Sequence, residues 1–380
     1  MIEPSLGTLA ILGASARSAA LSAKRAGVKV VAADLFADAD LARQVESTRI
    51  AEYPQGFLPW LQSNNVSAWM YIGALENYPR LVDELAAVTS LCGNSGKALR
   101  AIRSPWRLAS CLREAGLNYP EVTSSCLELP TDGSWLRKPL RGSNGSGIEP
   151  WLGKTNSPVR QSYWQRRVRG TPCAALFVAS DRGPQLLGVT KQLIGVEWTG
   201  AKPFQYSGTI GPWPTTATQL AQIERIGQSL VSAFAIQGLF GVDLMIDGDT
   251  IWTIEVNPRY TAAAEVVERF SGVNSIAAHL AACHKGGLVP DLASQSKSPD
   301  ASLSYSGKAI LYAKSDFIVT QQFFDWTCGH PEGALADIPH VGTSIRAGQP
   351  VLTVLAEGDS WGMVEQNLQS RVKEVRALCR

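Results

Sequence analysis

Two alternating runs joined by a short turn lie between Gly241 and Arg259. In the first, Val242, Leu244 and Ile246 alternate with Asp243, Met245 and Asp247; in the second, Trp252, Ile254 and Val256 alternate with Thr253, Glu255 and Asn257. Period-two alternation predicts a β-hairpin with one apolar and one polar face. If the loop is Asp247-Gly248-Asp249, an odd-length connection, Asp243 falls opposite Thr253, and Asp243, Glu255 and Asn257 project from one surface. A two-residue turn would split them. Two carboxylates and an amide oxygen on one surface suit a hard cation that keeps several waters and takes its other ligands from phosphate oxygens, as Mg²⁺ does. An ordinary hairpin with one wet face carries the same pattern, so the reading depends on what precedes it.

Upstream, Trp135-Leu136-Arg137-Lys138-Pro139-Leu140-Arg141 runs as a short strand into Gly142-Ser143-Asn144-Gly145-Ser146-Gly147. Glycines let successive backbone N–H groups approach an anion, Ser143 and Ser146 add hydroxyl donors, and Lys138 adds a full positive charge. The loop matches neither the P-loop pattern nor the strand-loop-helix G-x-G-x-x-G of dinucleotide sites.

Taken in order, Lys138-Pro139 with its glycine loop, Tyr163-Trp164-Gln165-Arg166-Arg167-Val168-Arg169-Gly170, Asp243, and Glu255-x-Asn257-Pro258-Arg259 resemble the ATP-grasp superfamily. The resemblance covers essentially the whole chain and is most specific between Leu136 and Arg259. Within the superfamily the chain is most similar to the carboligase-like group related to biotin carboxylase. The resemblance implies an α/β and α+β fold: an N-terminal Rossmann-like (pre-ATP-grasp) domain at 1–103, a two-subdomain ATP clamp at 104–295, divided near 167 and 168, and a small C-terminal β-rich domain at 300–380. It implies ATP as the nucleotide and Mg²⁺, or Mn²⁺ in its place, as the metal. Lys138 would contact the ATP phosphates and the adenine N7 region, and the loop from Gly142 through Ser143, Asn144, Gly145 and Ser146 to Gly147 would be the lid over the β- and γ-phosphates. Gln165, Arg166, Arg167 and Val168 would form the hinge that reads the adenine edge, with Arg166 replacing the acid usual there. Asp243 and Glu255 would bind metal, Asn257 would complete the site, and Arg259 would neutralise the γ-phosphate or an acyl phosphate.

Family members also carry a basic residue at the start of a helix ahead of this region. Here Arg103-Ser104-Pro105-Trp106-Arg107 opens such a helix, with Ser104 as N-cap and Pro105 in the first turn. Arg107, one turn in, is the first choice for the ATP-contacting cation, with Arg103 and Lys97 as substitutes. At the amino terminus, the apolar run Leu9–Leu12, the small-residue stretch from Ala14 to Ala20 and the apolar run Val28–Asp34 predict a βαβ unit and hence a parallel sheet. Gly13-Ala14-Ser15-Ala16-Arg17 lacks the later glycines of a dinucleotide fingerprint. Arg17, Asp34 and Glu76 fall at predicted strand ends and are candidates for substrate contact.

A length of 380 residues suggests two or three domains. A net charge of +2 with 18% charged residues gives no sign of a nucleic-acid or membrane partner. Seven cysteines without C-x-x-C spacing read as reduced thiols of a cytoplasmic protein. His279 with Cys283-His284 is the one pairing that hints at a transition-metal site, and no further ligands cluster beside it. The opening residues do not read as a signal peptide. Asp291 to Ser304 reads as a linker, and a last helix is predicted from Ser360 to Leu378.

The resemblance therefore implies an ATP-dependent carboxylate-amine ligase acting through an acyl phosphate on small-molecule carboxylate and amine substrates, and it leaves room for a homodimer. The alternatives are a bicarbonate-activating carboligase of the biotin-carboxylase type, a kinase-like protein that phosphorylates its ligand and stops there, and a non-catalytic ATP-binding module.

Overall fold

The computed structural model of the chain describes residues 7–154, 161–284, 304–331 and 333–379. The expected linker at 291–304 lies, but for Ser304, outside them. The first five strands are β1 (Leu9–Leu12), β2 (Val30–Asp34), β3 (Glu46–Arg49), β4 (Ala68–Tyr71) and β5 (Ser90–Leu91). They form an all-parallel sheet in the order β3-β2-β1-β4-β5, as the βαβ pattern predicts. All four residues of β1 are fully buried because helices cover both faces of the sheet.

A small antiparallel sheet follows, built from β6 (Val122–Thr123), β7 (Trp135–Pro139), β8 (Glu149–Pro150) and β9 (Ser162–Arg166) in the order β6-β9-β7-β8. Its core is a tryptophan cluster, Trp135, Trp151 and Trp164, with the rings of Trp151 and Trp164 edge to face at 5.5 Å.

The largest sheet contains β10 (Thr171–Ser180), β11 (Gly183–Ile194), β12 (Tyr206–Gly211), β13 (Gly238–Asp247) and β14 (Thr250–Asn257). The C-terminal segment adds β15 (Tyr305–Tyr312), β16 (Phe317–Ile318), β17 (Leu335–Ala336), β18 (Ser344–Ile345) and β19 (Pro350–Gly358). The C-terminal strands do not form a separate main sheet. β15 pairs with β12, which gives one continuous antiparallel sheet in the order β14-β13-β10-β11-β12-β15-β19-β17, while β16 and β18 make a two-stranded side piece. Unpaired edge groups on β12 are satisfied by this extension rather than by solvent.

Side-chain parity along β10 ties the units together. Cys173, Ala175, Phe177 and Ala179 face the core beneath the helix Ala217–Phe234, whereas Leu176 and Val178 face a core shared with Leu9, Ile11, Ala19 and Ile276. The parallel sheet is thus fused to the large sheet through buried apolar side chains. Thr216 begins the helix Ala217–Phe234 with a capping box closed by Gln219. Ser104 caps Pro105–Glu114 and Ser360 caps Trp361–Leu378, as the sequence predicts. All seven cysteines are free. His279 serves packing: Nδ1 accepts from the Leu239 N–H at 2.8 Å, and Nε2 lies 3.1 Å from the Cys92 carbonyl. Among the described residues no helix is long and apolar enough to cross a membrane.

Trp164 is fully buried in the small sheet. Trp164→Ala should cost about 3–5 kcal/mol of stability, read by urea unfolding followed by circular dichroism. A loss below about 1 kcal/mol would show that this sheet does not rest on the tryptophan cluster.

Candidate functional site

The three sheets enclose a cleft of about 880 Å³. The hairpin β13–β14 forms one wall, and its register differs from expectation. Asp247 pairs with Thr250, so the turn is the two-residue Gly248-Asp249 rather than the odd-length loop. Regular pairing from that turn would set Asp243 against Ile254 and separate the acids. Instead the pairing slips by one residue between Leu244–Thr253 and Asp243–Glu255, leaving Ile254 as a bulge. Asp243 therefore lies directly opposite Glu255, and Asn257, two residues further on, projects from the same face. At the turn end the expected alternation is reversed: Thr253 is fully buried opposite Leu244, whereas Trp252 pairs with Met245 on the other face.

Asp243 is held by two donors, Gln192 Nε2 at 2.9 Å and Asn257 Nδ2 at 3.1 Å. Burial, reinforced by repulsion from Glu255, pushes its carboxyl up to about 6. Among the described residues no three His, Cys, Asp or Glu side chains gather as a metal-binding group. The pair Asp243 and Glu255 beside the Asn257 amide instead supplies oxygen donors for a hard cation that draws the rest of its shell from water and phosphate, and on that chemistry the residues fit Mg²⁺. A cation there would remove the repulsion that now raises Asp243.

Lys138, on β7, is buried and donates from Nζ to Gln165 Oε1 at 3.0 Å, above the ring of Tyr163. Burial lowers its pKa, and the negative charges of Glu255 and Asp243 partly restore it. Gln165, Arg166, Arg167 and Val168 all line the cleft. The N–H groups of Arg166 and Arg167 are committed to Glu121 and Ser134 carbonyls at 2.8 Å each. The Arg167 guanidinium stacks over Phe204 at 5.6 Å.

The glycine loop closes the top of the cleft, and every residue from Gly142 to Ser146 lines it, whereas Gly147 is just outside. Asn144, Gly145 and Gly147 have φ of 57°, 71° and 77°. A Cβ at Gly145 would collide with the Phe204 carbonyl oxygen, so glycine is required by a close backbone approach as well as by φ.

Arg107 does not reach the cleft. The stripe Pro105, Leu108, Ala109 and Leu112 turns inward, which leaves Trp106 and Arg107 in solvent, and Lys97 is exposed as well. The cation at this position is Arg103, one of the substitutes, which donates to Glu255 Oε1 at 3.3 Å and to the Gly142 carbonyl at 3.2 Å. Arg259 donates to Glu76 Oε1 at 2.7 Å and to Asn257 Oδ1 at 3.3 Å. Burial opposes ionisation of Glu76, but the Arg259 ion pair outweighs it and holds the carboxyl below its usual range.

At the far end, Arg17 makes a two-pronged pair with Glu265 at 2.7 and 2.9 Å and reaches Asp337 at 2.8 Å; Lys308 also reaches Glu265, at 3.1 Å. Asp34 is not in the cleft. It accepts the backbone N–H groups of Ala16, Phe36 and Ala37 and so shapes the turn after β1. Pattern reading gave no role to Gln192, Glu265, Lys308, Tyr312 or Asp337. The signal for Lys308 was available: a lysine inside an apolar strand needs a buried carboxylate partner.

Residues 102–263 match the family described as the ATP-grasp domain. The formate-dependent phosphoribosylglycinamide formyltransferase of Syntrophotalea carbinolica is 23% identical over 271 residues, covering 65% of this chain and 67% of that one. Among solved structures, an N5-carboxyaminoimidazole ribonucleotide synthetase in its ADP complex superimposes with a TM-score of 0.73 at 14% identity, over 99% of this chain and 100% of that one. Rhizobium etli pyruvate carboxylase gives a TM-score of 0.73 at 12% identity over 98% of this chain, which spans 39% of that larger one. These likenesses establish the fold.

A raised Asp243 has a defined sign. Because its folded value, about 6, lies above the unfolded one, it favours the folded state at low pH, and that stability is lost as pH rises from about 4 through 6. Asp243→Asn should therefore stabilise the metal-free protein by about 1–3 kcal/mol at pH 8 and hardly at all at pH 4. Thermal unfolding at the two pH values in chelator checks this; equal gains at both would remove the titration as the cause.

Proposed function

From the match of residues 102–263 to the ATP-grasp domain, we propose that the chain is a Mg²⁺-dependent carboxylate-amine ligase that makes an amide through an acyl phosphate. The observation that carries this reading is the bulged hairpin: it sets Asp243 against Glu255, with Asn257 beside them, in one cleft with Lys138, Arg259 and the glycine loop. Relatives named as a formyltransferase and a ribonucleotide synthetase support a small-molecule carboxylate and amine as substrates.

In this reading ATP lies with its purine between the hinge and Lys138 and its phosphates under the glycine loop. Mg²⁺, when bound by Asp243, Glu255 and Asn257, would draw negative charge from the β- and γ-phosphates. The chain's own part is positioning and electrostatics. Arg103 ties Glu255 to the lid through Gly142, and Arg259, oriented by Glu76, faces the charge that develops as a substrate carboxylate oxygen takes the γ-phosphoryl group and ADP departs. An amine nitrogen then attacks the acyl carbon, phosphate leaves, and the amine's proton passes to solvent or a cleft base. Such chemistry needs no nucleophilic side chain.

Glu255→Gln should lower Mg²⁺-dependent ADP formation at least about 100-fold while leaving the circular dichroism spectrum unchanged; unaltered turnover would take Glu255 out of the metal site. Lys138→Ala should weaken ATP binding in calorimetry run with Mg²⁺. The acyl-phosphate step is tested by screening carboxylic acids for phosphate release with and without amines. If bicarbonate alone responded, the enzyme would be a bicarbonate-activating carboligase instead. If the wild type bound no ATP, the reading would give way to a non-catalytic module.

A further inference from the structure

We propose that Tyr312, on the C-terminal strand β15, is a positioning residue that latches the glycine loop shut. The inference rests on reading Gly142 to Gly147 as the lid over ATP. Asn144 Nδ2 donates to the Tyr312 hydroxyl at 3.0 Å, that hydroxyl donates to the Tyr206 carbonyl at 2.7 Å, and the Tyr206 N–H returns to the Asn144 carbonyl at 3.4 Å. The three bonds close a ring between segments 168 and 106 residues apart in the chain. The single Tyr312 proton goes to one partner while a lone pair takes the other, so the hydroxyl is fully used, and phenylalanine would break both bonds without changing shape.

The rest of the loop is built for this seat. Asn144 holds a left-handed φ of 57°, which asparagine adopts more readily than most residues, and Gly145 lets the backbone settle against Phe204. At its other end the loop is pinned by Arg103 and Asn77, both donating to the Gly142 carbonyl. In this set Asn77 and Tyr312 come from outside the ATP-grasp domain at 102–263, Asn77 from the N-terminal side and Tyr312 from the C-terminal segment. It shares the cleft-facing side of β15 with Lys308 and Ile310, so the strand that latches the lid also carries part of the Arg17–Glu265 end.

The consequence is chemical. A closed lid keeps water from the acyl phosphate. With the lid open, water takes the place of the amine: its oxygen joins the acyl carbon, phosphate leaves, and the free carboxylate returns, so ATP is spent without an amide.

Hydrogen exchange read by mass spectrometry on the full chain tests this without any substrate. In Tyr312→Phe, exchange across residues 142–148 should quicken about tenfold, the scale of a lost hydrogen bond, while exchange across 350–358 on the neighbouring β19 stays as in the wild type. Release of Mg·ADP should quicken by a similar factor. Asn144→Gly keeps the left-handed backbone and removes the amide, so adding Tyr312→Phe to it should speed the loop no further. Unchanged exchange at 142–148, equal quickening at 350–358, or additive effects in the double variant would each overturn the latch. A wild type that bound no nucleotide would sink the ligase reading alone, since the exchange arm needs none.

Discussion

The site depends on one local irregularity, the bulge at Ile254, which places two carboxylates face to face at the wall of the cleft. Like charges opposed across a strand pair repel, and here burial adds to the cost, as the raised pKa of Asp243 records. A fold keeps such an arrangement when something else offsets it. Part of the offset is internal: Gln192 and Asn257 donate to Asp243, and Arg103 pairs with Glu255. The remainder of the negative potential faces the cleft, where a divalent cation and its phosphate ligands would meet it.

Around that wall the cations are placed singly rather than massed. Arg103 joins the wall to the lid, Arg259 is steadied by Glu76, and Lys138 lies against Gln165 with its charge weakened by burial. Each keeps a fixed direction through a hydrogen bond to a neighbour that is itself held by packing. At the far end, Arg17 and Lys308 are neutralised by Glu265 and Asp337, which join the parallel sheet, the helix Ala264–Ser271 and the C-terminal segment. Burial opposes the charge on Glu265, and the two cations overcome it, driving its carboxyl well below the usual range. This network bonds the C-terminal segment to the parallel sheet and the helix Ala264–Ser271, two parts that the shared apolar core under β10 already joins.

The C-terminal segment forms part of the cleft wall. By pairing with β12, β15 extends the large antiparallel sheet and brings Lys308, Ile310 and Tyr312 to the cleft. The glycine loop is hydrogen-bonded to this sheet through Asn144 and Tyr312.

Much of this could be read from the chain, because it is written in local chemistry. Alternation gave the hairpin, buried apolar runs gave the parallel sheet, Ser104 and Ser360 gave helix starts, and the glycine loop announced itself by composition. The acids Asp243 and Glu255 and the amide Asn257 were identified together, although for the wrong turn: the hairpin has the even loop that should have parted them, and a bulge restores their common face. Bulges depend on how a strand packs against its neighbours, and pattern alone does not mark them. The helix Pro105–Glu114 was legible, but which of Arg103 and Arg107 enters the cleft depends on the direction of its buried stripe against the large sheet. Asp34 looked like a ligand and proved to be a cap for backbone amides. Gln192, Glu265, Lys308, Tyr312 and Asp337 come together from distant strands and helices. The sequence by itself determined the elements and the donor types, since these follow from neighbours a few residues apart; register, the facing of Arg103 and the partners of buried charges were decided by tertiary packing, since they are set by residues distant in the chain.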